Sequence, residues 1–559
     1  MSIDPPVATA GAEITIAGNG FGATQGSSRL LYDGEAIAVV SWSATRIVAT
    51  LPDPKPTGFY DVVVETDGGA SNPFEHRICP AGGCPFEVHH LNYIVNGDNG
   101  LSGFLEFSTD VPTTPEVTVI GPERTFVVPT TGWISQEPNK DHRIGVLGLR
   151  QGTTYAFEVT ATDGDENVTP VASTQHRTLT LDPLDFPMHV LVSDPSRMSP
   201  GYTFFFSPRG PDYQLMYAID AEGELVWYHR VGNAPLEIHR LANGNLFWGG
   251  QNYAEEIDMY GASQRYFDIA DIGPTGIDSM HHDFQILPNG NYLTLSTEAR
   301  EISGYPGGET HTVVGDVIVE FDQDLDIVQE WKLLDLLDPY RTPPGFNNPF
   351  WAALYGPESK DWTHTNSVVY DATDDTMVLS VRHQDIVIKM TRDDPPSLAW
   401  VIGEDFPGSA GDDAWPFLEL VGPGAYPNHQ HAAEVLPNGH ILLYDNGEST
   451  GVTRAVEYAL DPVGMTMTQA WAWIDPDYSP PLFAPFVGDV DLLPNGNVLY
   501  FDGALVDLPV PVLNPISLRV CEFNPYTSEK LFEGWMYADN VTYRGYRAVR
   551  FPTLYPPEP

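Results

Sequence analysis

Three histidines sit at the same offset from a recurring turn. His282 stands five residues before Leu287 of a Leu-Pro-Asn-Gly turn, and His431 five before Leu436 of another. His364 stands five before Val369, where the turn is altered and longer. If these turns join equivalent strands of a repeated sheet unit, the imidazoles come from equivalent places and point at one axis. On the strand after His364 comes Arg382, in a chain with few cations; by the same register it matches Glu298 one unit earlier. Three imidazoles and a guanidinium make a cup for a tetrahedral oxyanion, because arginine offers a planar fork of donors and histidine donates or accepts. Mutual repulsion and the nearby cation are expected to lower the histidine pKa values, leaving at least one ring neutral and nucleophilic near pH 7.

Other readings of these residues stay open. A single histidine on a strand is most often structural; three in one register weaken that reading. Three histidines facing one axis also suit zinc or iron, with Asp283 and Glu434 near enough in sequence to complete the set. Arg382 argues against a metal there, since a cation beside a metal is unfavourable. The register selects His282 over His281 and His431 over His440, and leaves His429 on the same face as His431. Leu236 and Gly488 hold the matching position in two other units, which predicts an open, partly apolar mouth. Trp362 and Tyr426 are candidate walls for an aromatic ligand, although packing is the commoner role for such rings.

The elements that must position these residues form a repeat. From about residue 185 an alternating strand, a polar turn and a strand ending in an aromatic recur six times, the first copy ending at Trp227 and the last at Trp535. Between them lie Leu-Ala-Asn-Gly-Asn at 241 and Leu-Pro-Asn-Gly at 287, 436 and 493, each followed by an apolar strand. Asn-Gly is expected to supply the positive φ angles of a tight hairpin. Paired, the two phrases give about four strands per unit, and six such units predict a six-bladed β-propeller over 185–559.

Two smaller β modules precede it. Residues 1–78 read as short strands at regular spacing, a β-sandwich pattern. The words Gly18-Asn-Gly-Phe-Gly22, Ser41-Trp-Ser and Gly58-Phe-Tyr-Asp-Val resemble the immunoglobulin-like IPT/TIG domain. Residues 87–180 form a second unit, whose Leu149 to Ala161 stretch resembles the late strands of a fibronectin type III module, with Tyr155 as its tyrosine corner. The predicted fold class is all-β: two N-terminal immunoglobulin-like β-sandwich domains followed by the propeller.

Bulk properties exclude some functions. The formal charge of -49 over 559 residues, from 76 acidic and 27 basic side chains, argues against nucleic-acid binding. It also means that any anion site must be built locally from scarce cations. No apolar run is long enough to span a membrane. Of three cysteines, Cys79 and Cys84 bracket a short loop able to close a disulfide, and Cys521 lies in a strand-like run as an expected buried thiol. No secretory signal is visible at the start, so a periplasmic or extracellular address would require one to have been removed.

The words around the candidate site are more specific than any one alone. His281-His-Asp-x-x-x-Leu-Pro-Asn-Gly-Asn, Asp361-Trp-Thr-His-Thr-Asn-Ser367, Ser380-Val-Arg382 and Gln430-His431-Ala resemble the bacterial PAPS-independent arylsulfate sulfotransferase family, over about residues 185–559. The resemblance implies a six-bladed propeller in which one histidine is transiently sulfated. It places that role on His431 and supporting roles on His282, His364, Arg382 and, as a substrate-binding amide, Asn366. The implied partners are a small-molecule aryl sulfate donor and a phenolic acceptor, with no nucleotide cofactor, no metal and no nucleic acid; a homodimer is left open. The chain departs from that family in carrying two modules before the propeller, and in having Gly488-Asp489 where a further family residue is expected. Two rivals from other classes are a non-catalytic extracellular ligand-binding or adhesive propeller and a histidine-ligated metalloenzyme.

Overall fold

In the computed structural model, the described residues are 1–80, 86–129, 139–208, 214–232, 234–305, 308–342, 348–405, 415–506 and 516–556. They form two compact units. One comprises residues 1–89, 108–114 and 160–171; the other comprises 90–107, 115–159 and 172–559.

The first unit contains two sheets. Ser2–Asp4, Glu13–Ala17, Arg46–Thr50 and Val39–Trp42 make one, and Val7–Thr9, Phe74–Cys79, Gly58–Thr66, Arg29–Tyr32 and Glu35–Ala36 are the main path of the other. The alternation seen in Glu13–Ala17 and Arg46–Thr50 places Ile14, Ile16, Ile47 and Ala49 in one core with Leu30, Val62 and Val64. Cys79 is disulfide-bonded; Cys84 lies outside the described residues. Cys521 is a buried free thiol, as expected.

In the second unit, residues 154–159 pair antiparallel with Ala172–Arg177. The hydroxyl of Tyr155 accepts a hydrogen bond from the Arg150 N–H at 3.0 Å, the backbone tie expected of it. Among the described residues beyond 187, largely antiparallel sheets of four or five strands follow one another around a hub, a propeller architecture, with Lys360–Asp361 and Glu419–Leu420 added in parallel. The innermost strands are Ala548–Phe551, Ile238–Arg240, His281–Ile286, Thr365–Asp371, His431–Val435 and Asp489–Leu492. Both ends of this region close the ring. Met188–Ser193 adds an outer strand to the last sheet, and Ala548–Phe551 supplies the inner strand of the first.

The hairpin phrase folds identically in four sheets. The glycine takes positive φ (Gly244 85°, Gly290 88°, Gly439 81°, Gly496 84°). The asparagine before it instead accepts a bond from the N–H two residues on, as Asn289 does from Asn291 at 3.0 Å and Asn495 from Asn497 at 3.0 Å. One left-handed residue therefore suffices where two were expected, because the asparagine side chain supplies the second turn bond.

The last sheet holds a buried charge cluster. The Arg519 guanidinium faces Asp502 at 2.7 Å, Asp475 at 2.5 Å and Glu533 at 3.2 Å, between the rings of Trp473 and Trp535. Replacing Arg519 by leucine leaves Asp475 and Glu533 with Lys530, and Asp502 with only the Tyr444 hydroxyl. The variant is expected to lose about 3–5 kcal/mol, read as a lower urea midpoint by tryptophan fluorescence; an unchanged midpoint would show that the cluster contributes nothing net.

Candidate active site

The inner strands are the local reason the histidines converge. Each of the three that carry them has a bulge at its entry: between His281 and Phe284, between Thr365 and Ser367, and between His431 and Glu434. A bulge leaves residues unpaired and re-aims their side chains. His282 (φ 59°) and His364 (φ 50°) sit in the left-handed region, as do His429 (φ 55°) and Ala432 (φ 49°). Non-glycine residues pay about 1–3 kcal/mol for such a backbone, so strain is concentrated here. The equal sequence offsets therefore do not mean equal backbone positions. By pairing register His431 matches His281, since His431 faces Tyr444 and His281 faces Leu295, while the bulge swings His282 inward.

The rings nevertheless meet. The His282 and His364 centroids are 4.7 Å apart, and Tyr546 lies 5.6 Å from His282 and 6.3 Å from His431. Arg382 opens a 3-10 turn directly after the strand Thr376–Val381. Its Nη2 donates to the Pro485 carbonyl at 3.1 Å and to Glu448 at 3.3 Å, while its buried Nε has no hydrogen-bond partner. Asn366 donates through Nδ2 to the Gln430 carbonyl at 2.7 Å, and its buried Oδ1 is without a partner.

Each Nδ1 has a different neighbour. That of His431 lies 2.7 Å from the Asn446 Oδ1, that of His364 2.5 Å from Asp361 Oδ2, and that of His282 2.7 Å from the His281 Nδ1. Burial holds all three rings well below the ordinary imidazole pKa, helped by neighbouring imidazoles at His282 and by Arg382 at His364 and His431. The expected lowering is present, with burial its largest cause. Burial also pushes the Asp361 carboxyl up to about 7. Burial would raise Asp316 too, but His281 and the Thr365 N–H hold it below its ordinary value.

Several expectations need correcting. Arg382 is not the only guanidinium at the hub. Arg547 reaches Glu237, Asp283 and the carbonyl of Asn366, the last two at 3.2 and 3.0 Å. Tyr546 donates to the same carbonyl at 2.7 Å. Both residues directly precede the ring-closing strand Ala548–Phe551; that strand's need to come from elsewhere in the chain was the signal for them. His429 faces Asp385 and Glu448 rather than the other rings' Nδ1 groups. Asp283 and Glu434, offered as metal ligands, accept backbone N–H groups of the next sheet, from Val368 at 2.7 Å and Leu492 at 3.0 Å. Among the described residues, Asp361, His364 and His383 do bring ligand-type atoms within 4.8 Å of one another, and there the His383 Nδ1 donates to the Asp361 carbonyl at 2.7 Å. Trp362 and Tyr426 take the packing role judged the commoner: Trp362 is core, its N–H bonded to the Arg341 carbonyl at 2.7 Å, and the Tyr426 hydroxyl is held by Leu418 and Leu420. An exposed ring beside the histidines is Phe350, 53% exposed, 4.8 Å edge-on from His364 and 6.3 Å from His282. Gly488 (φ 117°) contributes no side chain because a Cβ would lie 2.3 Å from the Tyr444 ring.

The arylsulfotransferase (ASST) family model matches residues 189–547, nearly all of this propeller and every site residue above. The chain belongs to the arylsulfotransferase family. Residues 1–77 match the IPT/TIG domain. The arylsulfate sulfotransferase AssT of Escherichia coli O6:H1 is 24% identical over 331 residues, 49% of this chain and 53% of that protein. AssT of Lelliottia amnigena is 25% identical over 250 residues, 35% of this chain and 40% of that protein. The chain thus spans about half, or less, of the length of the curated relatives it matches. A periplasmic gluconolactonase of Pseudomonas aeruginosa aligns over 62% of this chain and 98% of its own, at 10% identity and a TM-score of 0.34. For this arylsulfotransferase family member, no helix among the described residues is long and apolar enough to cross a membrane.

Because its folded-state pKa is depressed, the His431 ring is expected to stay neutral at pH 6, below the ordinary imidazole value of about 6.5. Histidine-selective 15N spectra of the full chain read this directly; an imidazolium signature for His431 at pH 6 would contradict the buried, cation-flanked environment described.

Proposed function

We propose that this protein transfers a sulfuryl group from an aryl sulfate ester to a phenolic acceptor, in two steps, through a sulfohistidine on His431. The observation that carries this reading is the convergence at the hub of three imidazoles held neutral by burial with Arg382, whose buried Nε is unpartnered. The name of the relatives, arylsulfate sulfotransferase, supplies the donor class.

In the first step a lone pair of the His431 ring forms an N–S bond while the S–O(aryl) bond breaks, its electron pair leaving with the aryl oxygen. In the second, the acceptor oxygen bonds sulfur, the N–S pair returns to the ring and the acceptor proton passes to a base. Arg382 and the Asn366 amide bind the sulfuryl oxygens and stabilise the charge developing on them. His364 is the better-placed proton carrier, since its Nδ1 faces Asp361 at 2.5 Å and a carboxylic group pushed up to about 7 shares protons readily near neutrality. His282 completes the cup. No nucleotide is consumed. Phe350, the exposed ring beside His364, is read as a platform for the aryl group. The disulfide at Cys79 suits a periplasmic or extracellular protein, and the Tyr155 tie supports a fibronectin type III-like second module.

Wild-type protein incubated with a chromogenic aryl sulfate is expected to release phenol and to gain about 80 Da, the mass of SO3, on the peptide containing His431. His431→Ala is expected to do neither; full phenol release by that variant would remove the nucleophile. Phe350→Ala is expected to raise KM for aryl sulfates by about five- to tenfold with kcat little changed, and an unchanged KM would dismiss the platform.

A further inference from the structure

His431 is not interchangeable with the other two rings, and the reason lies in what its Nδ1 faces. We infer that Asn446 is a positioning residue that holds His431 in the one tautomer able to attack sulfur; the inference rests on the function proposed above.

Asn446 follows the strand Ile441–Asp445, and both it and His431 are buried. Its Nδ2 donates to the Ala484 carbonyl at 2.8 Å and to the Val487 carbonyl at 2.9 Å. Two carbonyl oxygens can be satisfied only by the NH2 end of an amide, so the orientation of Asn446 is decided by its backbone partners. The amide oxygen must then face His431, at 2.7 Å. An amide oxygen only accepts, so the His431 Nδ1 carries the hydrogen. A neutral imidazole has one such hydrogen, and Nε2 is left with its lone pair.

The carrier of Asn446 is itself clamped. The Thr453 hydroxyl donates to the Asn446 carbonyl at 3.0 Å and accepts from the Ala484 N–H at 2.8 Å, tying both sides of the amide together. The choice of an amide over a carboxylate has a chemical consequence. His364 faces Asp361, whose negative form would favour a protonated ring; Asn446 orients its ring equally well without adding charge. Unlike His364, His431 is thus oriented by a neutral amide acceptor whose direction its backbone partners decide. After attack, the ring bears sulfur on Nε2 and hydrogen on Nδ1 and is cationic, which weakens the N–S bond for the second step. Asn446 Oδ1 still accepts the same hydrogen, so no regrouping is needed between steps.

The test uses the full chain and an aryl sulfate, with phenol release followed from pH 5 to 9 and the His431 peptide weighed in parallel. In Asn446→Asp the new carboxylate favours the imidazolium. The acid limb of the rate profile is therefore expected to move up by about one pH unit or more, with a tenfold or greater loss at pH 6 that recedes by pH 9. A merely structural role would lower the rate at all pH values without moving the limb, and an unmoved limb overturns the inference. Wild-type 15N histidine spectra decide independently of any variant's folding: hydrogen on His431 Nδ1 supports the assignment, and hydrogen on Nε2 overturns it. If wild-type protein gains no sulfuryl mass at His431, the proposed function itself fails; if it does and the Asn446→Asp limb stays put, the positioning role alone fails.

Discussion

The hub depends on a set of side-chain-to-backbone hydrogen bonds that pass from one sheet to the next. Adjacent propeller sheets share no backbone ladder, so each innermost strand would leave polar groups facing its neighbour. Asp283 accepts the Val368 N–H, Ser367 the Ala433 N–H at 3.1 Å, Glu434 the Leu492 N–H, and Asp489 the Ala548 N–H at 3.2 Å. The first sheet reaches the second through the side-chain ion pair of Arg547 and Glu237 instead, and the second reaches the third through His239 and the Phe284 carbonyl. Buried polar groups left unmet cost about 1–3 kcal/mol each, so this circuit fixes the spacing of the inner strands. The imidazoles ride on those strands, and their separation is set by the circuit rather than by contacts among themselves.

The same circuit explains how a chain so rich in acid can offer a place to an anion. Glu237, Glu434, Asp489 and Asp491 are raised by burial, Glu434 and Asp489 to about 7. Arg547, although paired with Glu237 and Asp283, lies close enough to depress His282 and His431. Fixed charge at the hub is therefore less negative than a count of its carboxyl groups suggests, and the local cations are not overwhelmed by the rest of the molecule.

Much of this was legible in the sequence. Leu-Pro-Asn-Gly marks hairpins because glycine and a self-bonding asparagine are what the turn requires, and the aromatic-ended strands mark the sheets. His282, His364, Arg382 and His431 followed from type and spacing. What escaped detection has physical reasons. A β-bulge has no sequence signature of its own, so equal offsets concealed unequal backbones. Asn446 is an ordinary residue after a strand until its two carbonyl partners are known. Trp362 and Phe350 are both aromatic, and only burial tells that the first packs the core while the second stands exposed beside the histidines.

Tyr546 and Arg547 belong to the segment that becomes the inner strand of the first sheet, more than three hundred residues after the other strands of that sheet. Wheel closure and pocket completion are thus one event. A nascent chain on the ribosome holds its histidines long before residues 546 and 547 can join them at the hub. The hub is in this way incomplete until that late segment joins the first sheet, by topology alone and with no inhibitor to remove.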